Sequence, residues 1–376
     1  MKRSSSDKNQ KPETRNQELR TMNPELSKHL KEAMAHLPYV AADLPGIGGV
    51  IKASPEHFQV EEVLPYAPCG EGEHVFVRLR RQGWNTADVG QALGQCFGLK
   101  SADIGWAGRK DKNAVTTQSF SLRLPMSQPM NEIESMLTAL PFEVLDLQRH
   151  RNKLKTGHVA ANRFSIILSQ IPPYALDAAT AIADKIRQGG TPNYFGEQRF
   201  GIQLRNIDRA VAILRRGKAR GKKEGFMVSA LQSALFNQWL KERIERDAFD
   251  TLMMGDLVQK TDTGGMFVVE DLQEAAQRFA ERKIIYTGPI FGHKMKPAGD
   301  RAGRYERRLL ESFGLEAASF KPLKAAGTRR QAVLHIQDME IGPVADGLRF
   351  RFTLPSGAYA TTVMREFIRE PVKGAA

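Results

Sequence analysis

An α+β fold with a mixed, mostly antiparallel sheet is predicted by three features of this chain. Short stretches of alternating apolar and polar residues recur without a regular strand–helix–strand rhythm. Well-signalled amphipathic helices lie between them. The character of the chain shifts near residue 190 and returns to alternating strand from His335. At roughly 150 residues per domain, 376 residues suggest two domains, each long enough to bury a core.

The elements follow in order. Residues 1 to about 22 are polar and charged, too poor in apolar groups to offset the entropy of ordering, so a disordered tail is expected. The globular pattern begins at about Gly46. HFQVEEVL (57–64) alternates with Phe58 and Val60 on one face, and EHVFVRLR (73–80) with Val75, Val77 and Leu79. Asn85 or Thr86 caps a helix carrying Val89, Leu93 and Phe97 that ends near Gly98. SADIGWAG (101–108) and NAVTTQSFSLRL (113–124) read as strands around the charged turn GRKDK (108–112). Ile133, Met136, Leu137 and Leu140 mark a short helix, RFSIILSQI (163–171) a strand and ALDAATAIADKIRQGG (175–190) a helix with a glycine end. Beyond residue 190 come a basic run at 215–223, a helix at 229–246 whose Ser229 and Gln232 suggest a capping box, and glycine-rich loops. LRFRFTLP (348–355) buries Leu348, Phe350, Phe352 and Leu354, and a helix over 357–370 follows.

Composition narrows the function. Lys and Arg number 55 against 42 Asp and Glu, a net charge of +13, which favours a polyanionic partner. Cys69 and Cys96 form neither a disulfide framework nor a CxxC, and His74, His158 and His335 lack metal-ligand spacing, so no metal is expected. No apolar run approaches the roughly 18 residues of a membrane span, and the N-terminus lacks the apolar stretch of a secretory signal. A cytoplasmic chain with no membrane association is the reading.

Several segments carry chemistry. In GRKDK, Asp111 lies between Lys110 and Lys112, with Arg109 beside them. Such cations hold a carboxylate ionised, ready as nucleophile or base, and attract phosphates. Taken alone, a run like this is more often a solvated turn. PNYFGEQRFG (192–201) interleaves aromatic rings with Arg199, which suits unpaired RNA. It equally suits a turn with Tyr194, Phe195 and Phe200 in the core. In KLKTGHVAANRFSI (153–166), Asn162 offers an amide to a base edge and Phe164 a stacking ring, or Phe164 is the first inward residue of its strand. The run 215–223 supplies Arg215, Arg216, Lys218, Arg220, Lys222 and Lys223, a phosphate-tracking surface or a solvated loop.

In order along the chain, VIKASPEHFQVEE (50–62), AGRKDKNAVTTQ (107–118), HRNKLKTGHVAANRFSI (150–166), PNYFGEQRFG (192–201), VSALQSALFNQWLKERI (228–244), YTGPIFG (286–292), GTRRQAV (327–333) and LPSGAYATTVMREFI (354–368) resemble the TruD family of tRNA pseudouridine synthases. The resemblance spans nearly everything from Gly46 to Ile368. It implies a pseudouridine synthase fold with an inserted α+β TRUD domain: a tail over 1–45, a catalytic domain over 46–190 and 335–376, the insert over 191–334, and a cleft between the two domains. Residue by residue, it implies Asp111 as the catalytic carboxylate and Lys52 as its ion-pair partner. Phe58 is implied near the target nucleotide, Asn162 against the uracil, Phe164 as a stacking ring and Tyr359 as the late aromatic. Ala161 stands where the family usually has glycine, and Ala358 where it commonly has serine.

The implied reaction breaks the N-glycosidic bond of a uridine, turns the freed base and rejoins it through C5. It needs no redox change and no cofactor. Asp111 is left with three routes: attack on C1′, attack on uracil C6, or removal of the C2′ proton. The implied substrate is tRNA, at uridine 13 of the D arm, and Arg109, Lys110, Lys112, Arg199 and the basic run would hold its backbone. The chain is read as a monomer. The competing class is a catalytically silent RNA-binding or RNA-chaperone protein using the same cleft. A membrane-surface role lacks any basic amphipathic helix.

Overall fold

The computed structural model describes residues 25–369, so the expected tail to about residue 22 lies outside the described residues. Backbone contacts divide the described chain into two compact units. One joins 43–188 to 335–369 and the other joins 25–42 to 189–334. The strands are β1 Phe58–Val63, β2 His74–Arg81, β3 Ile104–Trp106, β4 Val115–Arg123, β5 Glu143–His150, β6 Ala161–Leu168, β7 Thr191–Pro192, β8 Leu257–Lys260, β9 Met266–Val268, β10 Ile284–Ile290, β11 Thr328–Gln331, β12 Val333–Leu334, β13 Glu340–Val344 and β14 Gly347–Pro355. The helices are α1 Leu26–Ala35, α2 Thr86–Phe97, α3 Met130–Leu137, α4 Ala175–Gly189, α5 Arg205–Arg216, α6 Gly221–Glu245, α7 Leu272–Ala280, α8 Asp300–Ser312 and α9 Ala360–Ile368.

The first unit is built on one mixed sheet in the order β13-β14-β6-β1-β4-β2-β5, with β3 pairing β4. Among the described residues only the β1–β4 pair of this sheet is parallel. The predicted α+β class therefore holds. Period-two patterning sends alternate side chains to one face. Val75, Val77 and Leu79 of β2 are fully buried there, against Val89 and Leu93 of α2 and Ile133 and Leu137 of α3. Phe350 of β14 meets Phe367 of α9 edge to face at 4.9 Å. The opposite face is polar and carries the ion pairs Arg78–Glu61 and Arg80–Glu143.

Local signals explain the ends of α2. The Asn85 side chain accepts hydrogen bonds from the amides of Ala87 at 2.9 Å and Asp88 at 3.0 Å. Gly98 closes the helix at φ 64, a conformation that favours glycine. Gly105 in β3 meets a different demand. A Cβ there would lie 2.2 Å from the Leu154 carbonyl oxygen, so only glycine lets β3 approach that segment.

In the second unit α6 is the spine. Leu231, Leu235 and Trp239 are buried along it, and α1, α5 and the sheet β11-β10-β8-β9 pack around it. Two expectations are corrected here. The fold does not begin at Gly46: Leu26 and Leu30 of α1 are fully buried in this unit's core. The α6 helix begins at Gly221, two turns before Ser229, so Ser229 and Gln232 form no capping box. Ser229 instead donates to the Phe226 carbonyl at 2.7 Å, and Gln232 to the Phe291 carbonyl at 2.6 Å. Gly221 and Gly225 hide the early turns, which persist because Met227 and Val228 are buried. The glycine-rich loops also hold more order than expected, including the β8–β9 hairpin, β10 and α8.

Candidate active site

The site grows from β1 and its two neighbours. Phe58, Val60 and Glu62 alternate onto the buried face of β1. Across the antiparallel ladder they stand opposite Ile166, Phe164 and Asn162 of β6. On the far side of β6, Phe352 and Leu354 stand opposite Phe164 and Asn162. Phe58, Phe164 and Asn162 therefore share one face of the sheet. The Phe58 and Phe164 rings meet edge to face at 6.1 Å, and Phe164 stacks on Phe352 at 5.7 Å. The Asn162 Oδ1 atom is buried without a hydrogen-bond partner. Leaving an acceptor so costs about 1–3 kcal/mol, which suits a place where a ligand supplies the donor.

Lys52 connects this wall to the charged turn. Its ammonium sits 4.4 Å from the Phe58 ring centroid and donates to Asp111 Oδ2 at 2.5 Å. Lys52 holds a left-handed backbone, φ 59, which costs a residue bearing a Cβ of order 1–3 kcal/mol. Asp111 Oδ1 accepts from the Asn113 amide at 3.0 Å. Partial burial pushes the Asp111 carboxyl up. The Lys52 hydrogen bond, the Asn113 and Lys112 amides and the Lys52 charge outweigh that and hold it below the usual carboxylate range. Its side chain stays 44 % exposed, so an ionised oxygen remains open to a ligand.

Beneath the turn lies a buried polar network. Glu62, whose side chain is fully buried, accepts from the Lys110 ammonium at 2.9 Å, from Gln118 at 3.3 Å and from the Ser119 amide at 3.3 Å. Gln118 also donates to the Gly108 carbonyl at 2.7 Å, and the Lys110 amide donates to Thr86 Oγ1 at 2.9 Å. Arg81 donates to Thr86 at 3.1 Å and to Gln118 at 2.9 Å. Burial pushes Arg81 down to about 10, against the pull of Glu62. Lys110 is thus spent on the inside of the turn, while Arg109 and Lys112 are exposed beside it. Sequence reasoning missed Glu62, Gln118, Thr86 and Arg81. A signal for Glu62 was present, because it falls on the Phe58–Val60 parity and so on the inner face.

Tyr359 caps the start of α9, shortly past β14, and its carbonyl accepts from Thr362 Oγ1 at 2.8 Å. Ala161 pairs with Val63 and Pro355 in extended strand, so the departure from glycine asks nothing special of the backbone.

The comparisons decide the family. The family model of tRNA pseudouridine synthase D (TruD) matches residues 35–220 and 222–367. The chain belongs to the TruD family of tRNA pseudouridine synthases. A tRNA pseudouridine synthase D of Anaeromyxobacter dehalogenans is 42% identical over 335 residues, covering 86% of this chain and 94% of that protein. One from a strain of Thermus thermophilus is 37% identical over 326 residues, covering 86% and 90%. A solved structure from Methanosarcina mazei, bearing the TruD name, superposes with a TM-score of 0.71 at 23% identity, over 92% of this chain and 98% of that one. That likeness supports the fold.

The remaining predicted residues of this TruD-family chain lie in the second unit. Arg199 donates to Ser229 at 2.9 Å and Ser233 at 3.2 Å and lies 4.9 Å from the Phe226 ring. It fastens its loop to α6, and Tyr194 and Phe200 beside it are core, as the blander reading of 192–201 held. The basic run ends α5 and opens α6. Arg215, Arg216, Lys218, Arg220, Lys222 and Lys223 are all exposed, and Arg216 pairs with Glu224. Among the described residues no cluster of His, Cys, Asp and Glu stands ready for a metal ion. No described helix is long and apolar enough to cross a membrane.

Proposed function

We propose that this chain isomerises uridine to pseudouridine in tRNA, with Asp111 as the reacting carboxylate. Family membership makes it an isomerase. The observation that carries the assignment of Asp111 is its ion pair with Lys52, held against Phe58 on the face that also bears Phe164 and Asn162. In the reaction the C1′–N1 bond breaks, a C1′–C5 bond forms, and the proton displaced from C5 is balanced by one gained at N1. The three routes open to a carboxylate, at C1′, C6 or the C2′ proton, all require it ionised. Lys52 keeps it so.

The other residues hold the detached base. Phe58, Phe164 and Tyr359 wall the pocket and keep water from it. Asn162 Oδ1 accepts from the uracil N3–H, which fills its missing partner. The target leaves its stack to reach Asp111, at a cost of a few kcal/mol that ring contacts offset. Arg109, Lys112 and the exposed basic run bind backbone phosphates, and Lys110 holds the turn. The second unit is the domain inserted into the synthase. The target is uridine 13 of the D arm. The enzyme works without a cofactor, in the cytoplasm and as a monomer; the monomer reading is supported by the exposed large apolar side chains, which sit singly along the described chain.

The test is pseudouridine mapping on tRNA from cells lacking the protein, with wild type and Asp111→Ala added back. One uridine should lose its modification and regain it with wild type alone. An unchanged map in the deletion strain, or rescue by Asp111→Ala, overturns the reading and moves a silent RNA-binding role forward.

A further inference from the structure

Helix α8 carries an arginine stripe that the proposed chemistry does not use. Arg301, Arg304 and Arg308 are spaced three and four residues apart, so they share one helix face over about 10 Å. With Arg246, just past the end of α6, they rim a cavity of 650 Å³. All four are exposed. The floor is apolar, with Leu252, Met253 and Leu309. Tyr305 braces it: its hydroxyl donates to the Trp239 carbonyl at 2.9 Å, and the Arg246 guanidinium lies 4.8 Å from its ring centroid.

The charges are not used up locally. Arg243, beneath the floor, is neutralised by a two-pronged pair with Asp256 at 2.8 and 2.7 Å. Arg304 pairs with Asp300 at 2.8 Å, and Arg246 with Glu242 at 3.4 Å. Arg301 and Arg308 have no ion-pair or hydrogen-bond partner among the described residues. Glu242 and Asp247 also line the cavity, so its rim is mixed in sign, but the four exposed guanidinium groups outnumber the two carboxylates, and guanidinium forks match pairs of phosphate oxygens. Lone exposed arginines are ordinary. Two unpartnered ones in one helix stripe, at the rim of one cavity, in a chain of net charge +13, fit a polyanion.

We propose that this cavity binds the phosphodiester backbone of tRNA, through residues other than those proposed for the target-uridine pocket. The occupant rests on the function proposed above; the site itself rests on the arginines. None of the cavity's lining residues belongs to the unit that carries Asp111, and the role proposed for them is binding.

The test compares wild type with Arg301→Glu/Arg308→Glu, and with Lys321→Glu/Lys324→Glu, which makes the same charge change on exposed residues outside the cavity. Thermal melts check folding, and Arg301→Gln/Arg308→Gln serves if the charge-reversed protein melts early. With full-length tRNA, KM should rise roughly tenfold and single-turnover rate at saturation should hold. The slope of log binding constant against log salt should shrink by about 1.4 to 1.8, from two lost phosphate contacts at 0.7 to 0.9 each. The Lys321/Lys324 variant should bind close to wild type. Unchanged tRNA affinity and salt slope in the arginine variants overturn the site. An equal loss in the lysine variant overturns it too, leaving a general field effect. If AMP binds in an Arg301/Arg308-dependent way while tRNA binding does not change, the cavity is a small-nucleotide site and the tRNA assignment falls. If wild type makes no pseudouridine, the function reading fails, while the binding measurements still decide the cavity.

Discussion

Two lysine–carboxylate pairs meet at adjacent residues of one turn, Lys110 and Asp111, and they differ sharply in burial. Lys110 pairs with Glu62 at 2.9 Å, with 8 % and 0 % of the side chains exposed. Lys52 pairs with Asp111 at 2.5 Å, with 29 % and 44 % exposed. The first carboxylate is fully employed, accepting from Lys110, Gln118 and the Ser119 amide. The second keeps room for something that is not protein. A buried pair with every partner present fixes the turn in one place. A half-open pair on that turn can exchange one partner for a substrate. Under the proposed function, neighbouring residues of one motif divide between holding and reacting, and burial distinguishes them better than charge does.

The sharpest break of this comparison is at the Lys52–Asp111 pair. Asp111→Asn keeps the shape and removes the charge, so pseudouridine formation should fall by about 10²–10⁴-fold or below detection. The melting temperature should drop only slightly, by the small contribution of a half-exposed ion pair, and tRNA affinity should stay near wild type. Measurable turnover near the wild-type rate would place the chemistry elsewhere.

At the holding pair the loss should appear as stability. Glu62→Ala strands the buried Lys110 ammonium and should cost about 3–5 kcal/mol in denaturant unfolding. Glu62→Met with Lys110→Met removes both charges and should recover much of that. Activity should not recover in step, because Gln118 and the Ser119 amide still lack their acceptor. A double variant as active as wild type would show that the network does not position Asp111.

A subtler effect follows from the sign of the Asp111 shift. Its carboxyl titrates below the usual range, so its contribution to stability and its reactive form persist above that value. Both are lost as pH falls through it. Replacing Lys52 with Gln removes the main force holding the carboxyl down. The acid limb of kcat/KM should then move up, toward the ordinary carboxylate range. An unmoved limb would assign it to another group. Smallest of all, Asn85→Ala should cost about 1 kcal/mol by unfolding, since only the cap of α2 is lost. Thr86, the next residue, bonds into the network, so a drop in activity larger than that in stability would tie the helix start to the turn.

Much of this was legible in the sequence where a local rule decides. Alternation in EHVFVRLR and LRFRFTLP set their buried faces, and Asn85, one of two candidate caps, and Gly98 stand at the ends of α2. Asp111, Lys52, Asn162 and Phe164 were named from motif order, and the fold brings them to one side of one sheet. What could not be read was tertiary. Lys110 resembles its neighbours Arg109 and Lys112 in any string, and only pairing with a residue 48 positions away sends it inward. The α6 start was hidden because burial at Met227 and Val228 overrides two glycines.

Lys52 carries one more consequence through its backbone. At φ 59 the residue least opposed by sterics is glycine, followed by asparagine. The fold would welcome either, while only a long cationic side chain reaches Asp111. A lineage selected for heat tolerance alone should therefore drift toward Lys52→Gly or Lys52→Asn, and become hardier as it falls silent. The position is a gauge of purpose: whichever residue stands there tells which of the two demands its ancestors were made to satisfy.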